Sequence, residues 1–405
     1  MGFRVEPGDM NSFGKLVDRA EHDMLAGGEF LRSNAKIDTS GGAGEIWGKV
    51  VDLHQNHVEL ADRALKGYGE ILNSSSSELI RSAQYYKDTD IDQAAAVDAV
   101  YGGSGRGAPP SASIGAATDI FGGGFNDRTD AQACLAATRT PEQIYEHAGM
   151  PSVFASQLAN VASVVKPRID GIFNNSNGAL GVIGELVGDV LDLTSPSVLV
   201  NEGLKLAFGW DLFGDLANCV AGDWGTFNEC AQAWAKLGSL CAAVATNVSH
   251  GNDLLSLSWQ GQAANVAWDY FHAVAEKLLK AQETFNKIDE CYQKIGGEIA
   301  SFVNMLKAAI STIADLALMA ALEAAAGAAS GFTGVGLVVT AAAAADIALR
   351  VARMIQLSTE IGTALTGLYL AIQGAQTAGQ AEVIATLSEI KSFPVPKAGY
   401  DNQVV

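Results

Sequence analysis

The tightest constraint in this chain is a run of apolar residues that alternates steps of four and three without a miss. It comprises Val274, Leu278, Ala281, Phe285, Ile288, Tyr292, Ile295, Ile299, Phe302, Leu306, Ala309 and Ile313. This is the heptad pattern of helices packed side by side. The spacing predicts one long helix from about 261 to 326, on the order of 100 Å at 1.5 Å per residue, with Gly296 and Gly297 as the expected bend. Upstream, Trp234, Leu237, Cys241, Val244, Val248 and Leu255 keep the same register. Downstream, Ile347, Val351, Met354, Ser358, Ile361, Leu365, Leu368, Ile372 and Ala375 repeat it. The break between the last two helices falls at "GAASGFTGVG" (327–336), whose four glycines suit a tight helical hairpin. With a shorter apolar segment, "NEGLKLAFGWDLFGDLANCV", ahead of them, the expected packing is an elongated antiparallel bundle over 198–392.

Composition limits what such a chain can do. A hydrophobic content of 48% over 405 residues supplies a real core, and the formal charge of −19 repels phosphate backbones and anionic lipid headgroups. Nucleic acid is therefore not an expected partner. Abundant alanine and glycine beside 7% aromatics suits long, close-packed helices. The N-terminus, "MGFRVEPGDMNSFGKL", has no apolar core segment followed by a small-residue cleavage site. The chain is then expected either to stay in the cytoplasm or to leave without a cleaved leader.

Residues 1–95 read as a unit of their own. Phe13, Leu16 or Val17, Ala20 and Met24 make one amphipathic helix; Val51, Val58, Ala61, Leu65, Tyr68, Leu72, Leu79, Ala83 and Tyr86 make a second. The two form a helical hairpin joined through "DTSGGAGEIWGK". Glycine, proline and serine crowd residues 102–128, so 96–140 reads as a flexible linker. Short helices are expected over 141–197 and a loose tail over 393–405. The fold class is thus all-α, a hairpin plus a long-helix bundle.

Two short motifs stand at the joints of this plan. The N-terminal hairpin ends in Tyr86, Lys87, Asp88, Thr89, Asp90, a Y-x-x-x-D arrangement. Trp259, Gln260, Gly261 stands between two heptad-bearing arms. Each string is expected roughly once by accident in a chain of this composition. The bland reading of Tyr86 is a last-turn core tyrosine before a solvated acidic loop, and that of Trp259 is a packing residue at a helix joint. Position discriminates: Gly261 is able to take the turn, and Trp259 to cap the end of the hairpin.

Taken together these residues resemble the Trp-x-Gly (WXG) helical hairpin proteins exported by the type VII, or ESX, secretion system of actinobacteria and related bacteria. The stretch from "AGDWGTFNEC" through "SLSWQGQAANVAWDYFHAVAEKL" looks like the Trp-x-Gly region of larger members. The stretch from "FRVEPGDMNSFGKLVDRA" through "YYKDTDID" is similar to the small ESX-secreted virulence factor type, a hairpin ending in Y-x-x-x-D. The resemblance implies that Tyr86 and Asp90 form an export signal contacted by the secretion ATPase, and that Trp259 and Gly261 form the inter-helix turn. It also implies that pairing of hairpins brings the two motifs together. Here they stand 173 positions apart, with "YQKIG" lacking the acidic residue after the second hairpin. Whether the first hairpin folds back or pairs with another chain stays open.

Other chemistry finds little footing. Asp88, Asp90 and Asp92 lack the glycine and glutamate of a calcium loop. His54 and His57 have no further ligand in view and read as surface or packing residues. "GGSGRG" and "FGGGF" lack the Lys-Ser/Thr of a phosphate cradle. The five cysteines contain no C-x-x-C pair; Cys219 and Cys230 read either as facing partners or as two buried thiols. No metal site, cofactor or nucleophile is expected. Ala324–Ala345 carries no charge and is long enough to cross a bilayer, but its small residues and its flanking Glu323 and Asp346 favour a buried helical turn. Membrane contact stays open without being favoured.

The leading expectation is a non-enzymatic type VII substrate, released to the envelope or medium without a cleaved signal peptide. It would act by helical self-assembly or partner binding, with the secretion ATPase, a small WXG hairpin protein or a second copy as candidate partners. The alternatives are a membrane-active or pore-forming protein and the delivery portion of a toxin system lacking its catalytic domain.

Overall fold

The protein is all-α. The computed structural model describes residues 3–37, 45–89, 91–98, 124–136, 224–330 and 336–395. Among these it holds six helices: α1 (Pro7–Asn34), α2 (Glu45–Asp88), α3 (Ile91–Asp98), α4 (Trp224–Ser258), α5 (Gln262–Ser330) and α6 (Gly336–Glu389). Two 3-10 turns, Gln132–Leu135 and Ile390–Ser392, complete the set. Pro7 opens α1, where its missing N–H costs nothing, with Asp9 in the first turn and Arg32 in the last, each placed to suit the helix dipole.

The heptad stripes are the core. All twelve positions of the α5 stripe are buried, from Val274 to Ile313, as are all six of the α4 stripe. On α6, Met354, Ile361, Leu368 and Ile372 are buried, with Leu365 and Ala375 packed at the edge of the same core. The helix of 69 residues runs on through Gly296 and Gly297. Gly296 serves close approach: a Cβ there would lie 2.3 Å from Asn228 Oδ1 on α4.

Two hairpins, α1/α2 and α4/α5, lie side by side in antiparallel register. Down the α2–α5 seam the partners step evenly in opposite senses. His54 meets the Tyr292 hydroxyl at 2.9 Å, the Tyr68 hydroxyl donates to the Lys277 carbonyl at 2.8 Å, and Ser75 meets the Tyr270 hydroxyl at 3.1 Å. The α1–α4 seam behaves alike. A Cβ on Gly251 would sit 2.5 Å from the Phe13 ring, and one on Gly27 would sit 2.4 Å from Leu240. Both glycines let the helices close on a bulky partner side chain. The N-terminal hairpin, read as a unit of its own, therefore shares one continuous core with the second pair. Helix α6 returns along α5, its register marked by Lys277–Glu389 and Lys287–Glu382, each at 2.6 Å.

Of the segment read as linker, residues 124–136 lie against α1 and α4. Asn247 is buried and exchanges two 2.9 Å hydrogen bonds with the Thr129 backbone. Arg19 pairs with Asp127 at 3.0 Å and donates to the Phe125 carbonyl at 2.8 Å. Phe393, at the start of the tail, packs on Tyr270. The short helices expected over 141–197, Cys219, the turn residues 331–335 and the rest of the tail lie outside the described residues. Cys230 is buried, its thiol toward the Asn34 carbonyl, and no disulfide occurs among the described residues. No helix among the described residues is long and apolar enough to cross a membrane.

His54 and His57 are packing residues, buried between α2, α4 and α5 among Trp234 and Tyr292. The Ala35 carbonyl only accepts, so His54 Nε2–H donates to it at 3.2 Å and Nδ1 accepts from Tyr292. Burial brings both rings down to about 4; for His57 the neighbouring His54 adds to the effect. An unfolded histidine, at about 6.5, binds a proton between these values and the folded one does not. Stability therefore falls as pH drops from about 6.5 to about 4, by up to about 3 kcal/mol per ring. Chemical denaturation at both ends of that window should show the loss, and His57→Gln should flatten the slope. Gly251→Ala, which drives a methyl into the Phe13 ring, should cost about 1–3 kcal/mol. Gly297→Ala, where nothing lies within 4 Å, should be neutral or stabilising, as thermal melts of the two variants will show.

Candidate functional site

The end of the bundle at the α4–α5 turn is built from four separate stretches of chain. Helix α4 closes with the Trp259 N–H donating to the Leu255 carbonyl at 2.8 Å. Gly261 then takes φ 146°, a conformation that side-chain-bearing residues rarely adopt, and is the only positive-φ residue among those described. Its carbonyl accepts from Asn265 at 3.1 Å, which starts α5. Residues 259–261 thus connect α4, which ends at Ser258, to α5, which begins at Gln262.

The extended N-terminal residues clamp this turn. Arg4 N–H donates to the Gln260 carbonyl at 3.1 Å and Gln260 N–H to the Arg4 carbonyl at 2.7 Å, an isolated antiparallel bridge. Glu6 N–H adds a bond to the Ser258 carbonyl at 3.1 Å. Backbone groups that a helix end leaves without partners are in this way satisfied from the other end of the chain. The bridge continues the α1–α4 register outward, so it follows from the packing of the helices.

Tyr86 reaches the same place from the third side. It sits in the last turn of α2, is 6% exposed, and meets Trp259, 4% exposed, edge to face with ring centroids 6.1 Å apart. Phe3 lies 5.9 Å from the Tyr86 ring and Tyr85 lies 5.7 Å from it. The first hairpin therefore folds back within its own chain to join the two motifs. Asp90 lies outside the described residues; α2 ends at Asp88, whose carboxylate accepts from Gln84 at 2.7 Å, and α3 begins at Ile91. Beside the turn, Trp259 Nε1 is buried without a hydrogen bond among the described residues.

Phe3 and the backbone of 4–6 are the parts of this site that sequence reading missed. A signal exists in "FRVEPG": apolar Phe3 and Val5 alternate with polar neighbours just ahead of Pro7, whose ring biases the preceding residue toward extended conformation.

Metal-ligating side chains come together elsewhere, on α1. Asp18, Glu21 and His22 offer ligand atoms within 4.8 Å of one another. Asp18 and His22 border an open cleft of about 480 Å³ also lined by Asp23, Asp127 and Asp130. These groups are engaged with one another. His22 Nδ1 lies 2.8 Å from the Asp18 carbonyl and 3.0 Å from Glu21, contacts that raise its pKa, the carbonyl first. Asp23 is buried, which raises its pKa, and accepts from Gln132 at 3.0 Å.

Compared with models of known protein families, with curated proteins and with solved structures, the chain matches none.

Gly261→Ala should destabilise by roughly 1–3 kcal/mol, because alanine is strained at this φ. The release should be local, with hydrogen exchange at the Arg4 and Gln260 amides rising together. Unchanged exchange at Arg4 would show that the turn does not hold residues 4–6.

Proposed function

We propose that the chain is a non-enzymatic substrate of a type VII secretion system, exported to the envelope or medium, with Tyr86 and Asp90 as its export signal. One observation carries the reading: Tyr86 packs on Trp259 although the two are far apart in sequence. A Y-x-x-x-D end and a Trp-x-Gly turn each have a bland explanation when alone. Their contact at one end of a paired-hairpin bundle is what the resemblance to the WXG hairpin proteins leads one to expect.

The pairing is supplied from within. The apolar face of α1/α2 is buried against α4/α5, so no separate small WXG hairpin is needed to cover it. Partner binding after export is then left to outer surfaces, including those of α6. Tyr86 is buried, so in this reading it acts by placement: it holds the end of α2 on the turn and presents the following chain, with Asp90, to the secretion ATPase. Neither a cofactor nor a metal has a role in it.

Export of Tyr86→Ala and Asp90→Ala, measured as the ratio of protein in the medium to protein in the cell, should fall at least tenfold. Circular dichroism of the purified Asp90→Ala variant should match the parent. Asp88→Ala, two residues earlier at an unspecified position of the Y-x-x-x-D pattern, should leave export unchanged. Undiminished export of both signal variants would overturn the assignment.

A further inference from the structure

The outer face of α6 differs from every other long outer face described. Between Glu360 and Glu382, residues 361–381 contain no charged side chain, in a chain whose net charge is −19. At 1.5 Å per residue this is about 30 Å of helix. The side of it that faces α5 is ordinary core. The opposite side, exposed, carries Thr363, Gly367, Leu370, Gly374, Thr377 and Ala381, again in steps of four and three. Leu349, 69% exposed, and Ile384, 42% exposed, extend the seam at whole-heptad distances on either side of Leu370, itself 60% exposed. A second heptad stripe therefore runs along a helix whose first is already buried.

Two further features mark this stripe as a packing surface. Gly362, Gly367 and Gly374 are exposed helix-interior glycines, and a Cβ on any of them would meet nothing within 4 Å. Glycine weakens a helix relative to alanine, and no contact among the described residues calls for it here. An approaching helix backbone would call for it. The threonines, for their part, have no hydroxyl to lose to desolvation. Thr363, Thr366 and Thr377 each donate at 2.9 Å to the carbonyl four residues back.

We infer that this face of α6 is the surface through which a second copy of the chain binds, in antiparallel fashion about a two-fold axis. The pattern is self-complementary. With the axis at the level of Ile372, Leu370 of one copy falls opposite Gly374 of the other, Gly367 opposite Thr377, and Thr363 opposite Ala381. The largest side chain of the central seam meets a gap, and each contact occurs twice, as an isologous interface requires. Charge favours the same occupant: two copies at −19 each repel wherever acidic faces meet, and least along a strip that carries no charge. The self-complementary stretch, Thr363 to Ala381, is about 27 Å long and one helix wide, at the small end of protein interfaces, so the dimer is weak and concentration-dependent. This gives the self-assembly part of the proposed function a surface; it rests on that reading only for its purpose, and the two are tested apart.

The full-length protein should show an average mass that climbs from monomer toward dimer across a roughly hundredfold rise in concentration, by light scattering or sedimentation. Leu370→Glu should weaken association at least tenfold with its melting temperature preserved, since the side chain is exposed. The double variant Gly367→Ala, Gly374→Ala should weaken it as well while melting higher than the parent, opposite signs that mere misfolding does not produce. A monomer at all concentrations, a dimer indifferent to both variants, or capture of this face by phosphatidylcholine vesicles would each overturn the inference. Export of Leu370→Glu should be normal; loss of export only in the Tyr86 and Asp90 variants keeps the two proposals distinct.

Discussion

The close approach of α1 to α4 is the constraint on which the rest of the molecule depends. Two amphipathic hairpins with apolar faces can pair in many registers, and heptads alone leave the choice among them open. Here the choice is made by Gly251 beneath the Phe13 ring and Gly27 beneath Leu240, where a single added methyl would collide. Sliding one helix along the other by a turn would set these bulky side chains against ordinary residues. Phe13 is fixed further by Phe271 of α5, 4.8 Å away edge to face. The seam thus ties three helices to one register.

Everything at the candidate site follows from that register by extension. Continued beyond Pro7, the α1–α4 alignment brings residues 4–6 alongside 258–260, where backbone groups at the end of α4 need partners. Continued along α2, the alignment that places His54 on Tyr292 and Tyr68 on Lys277 delivers Tyr86 to Trp259. The aromatic contact itself is modest, on the order of 1 kcal/mol beyond burial. It reports the pairing of the hairpins more than it causes it. A signal read from this end of the bundle would be presented only by a folded chain, because its two halves meet only when the hairpins do.

The parts that were legible in the sequence are those governed by local periodicity. The α5 stripe was readable residue by residue from Val274 to Ile313, and Gly261 as the turn, because an uninterrupted apolar spacing and a glycine at its edge leave few alternatives. Residues 124–136 were not, since their glycine-rich surroundings hide the Asn247 side chain that binds them from another helix. His54 and His57 carried no sign of which of their two readings applied; only the arrival of Trp234 and Tyr292 from α4 and α5 made them buried. The uncharged outer face of α6 was present in the sequence all along. It becomes meaningful only once the opposite stripe is known to be the buried one.

By itself the sequence determined that the chain is helical, where its long helices lie, and which face of each is apolar. These are consequences of spacing along one helix, and a helix's own geometry turns spacing into a face. The tertiary structure alone decided that both hairpins share one core, that Arg4 bridges Gln260, and that Tyr86 rests on Trp259. Those contacts join residues separated by most of the length between the two hairpins. Their register is set by the shape of side chains meeting across a seam, which no pattern within either strand of sequence encodes.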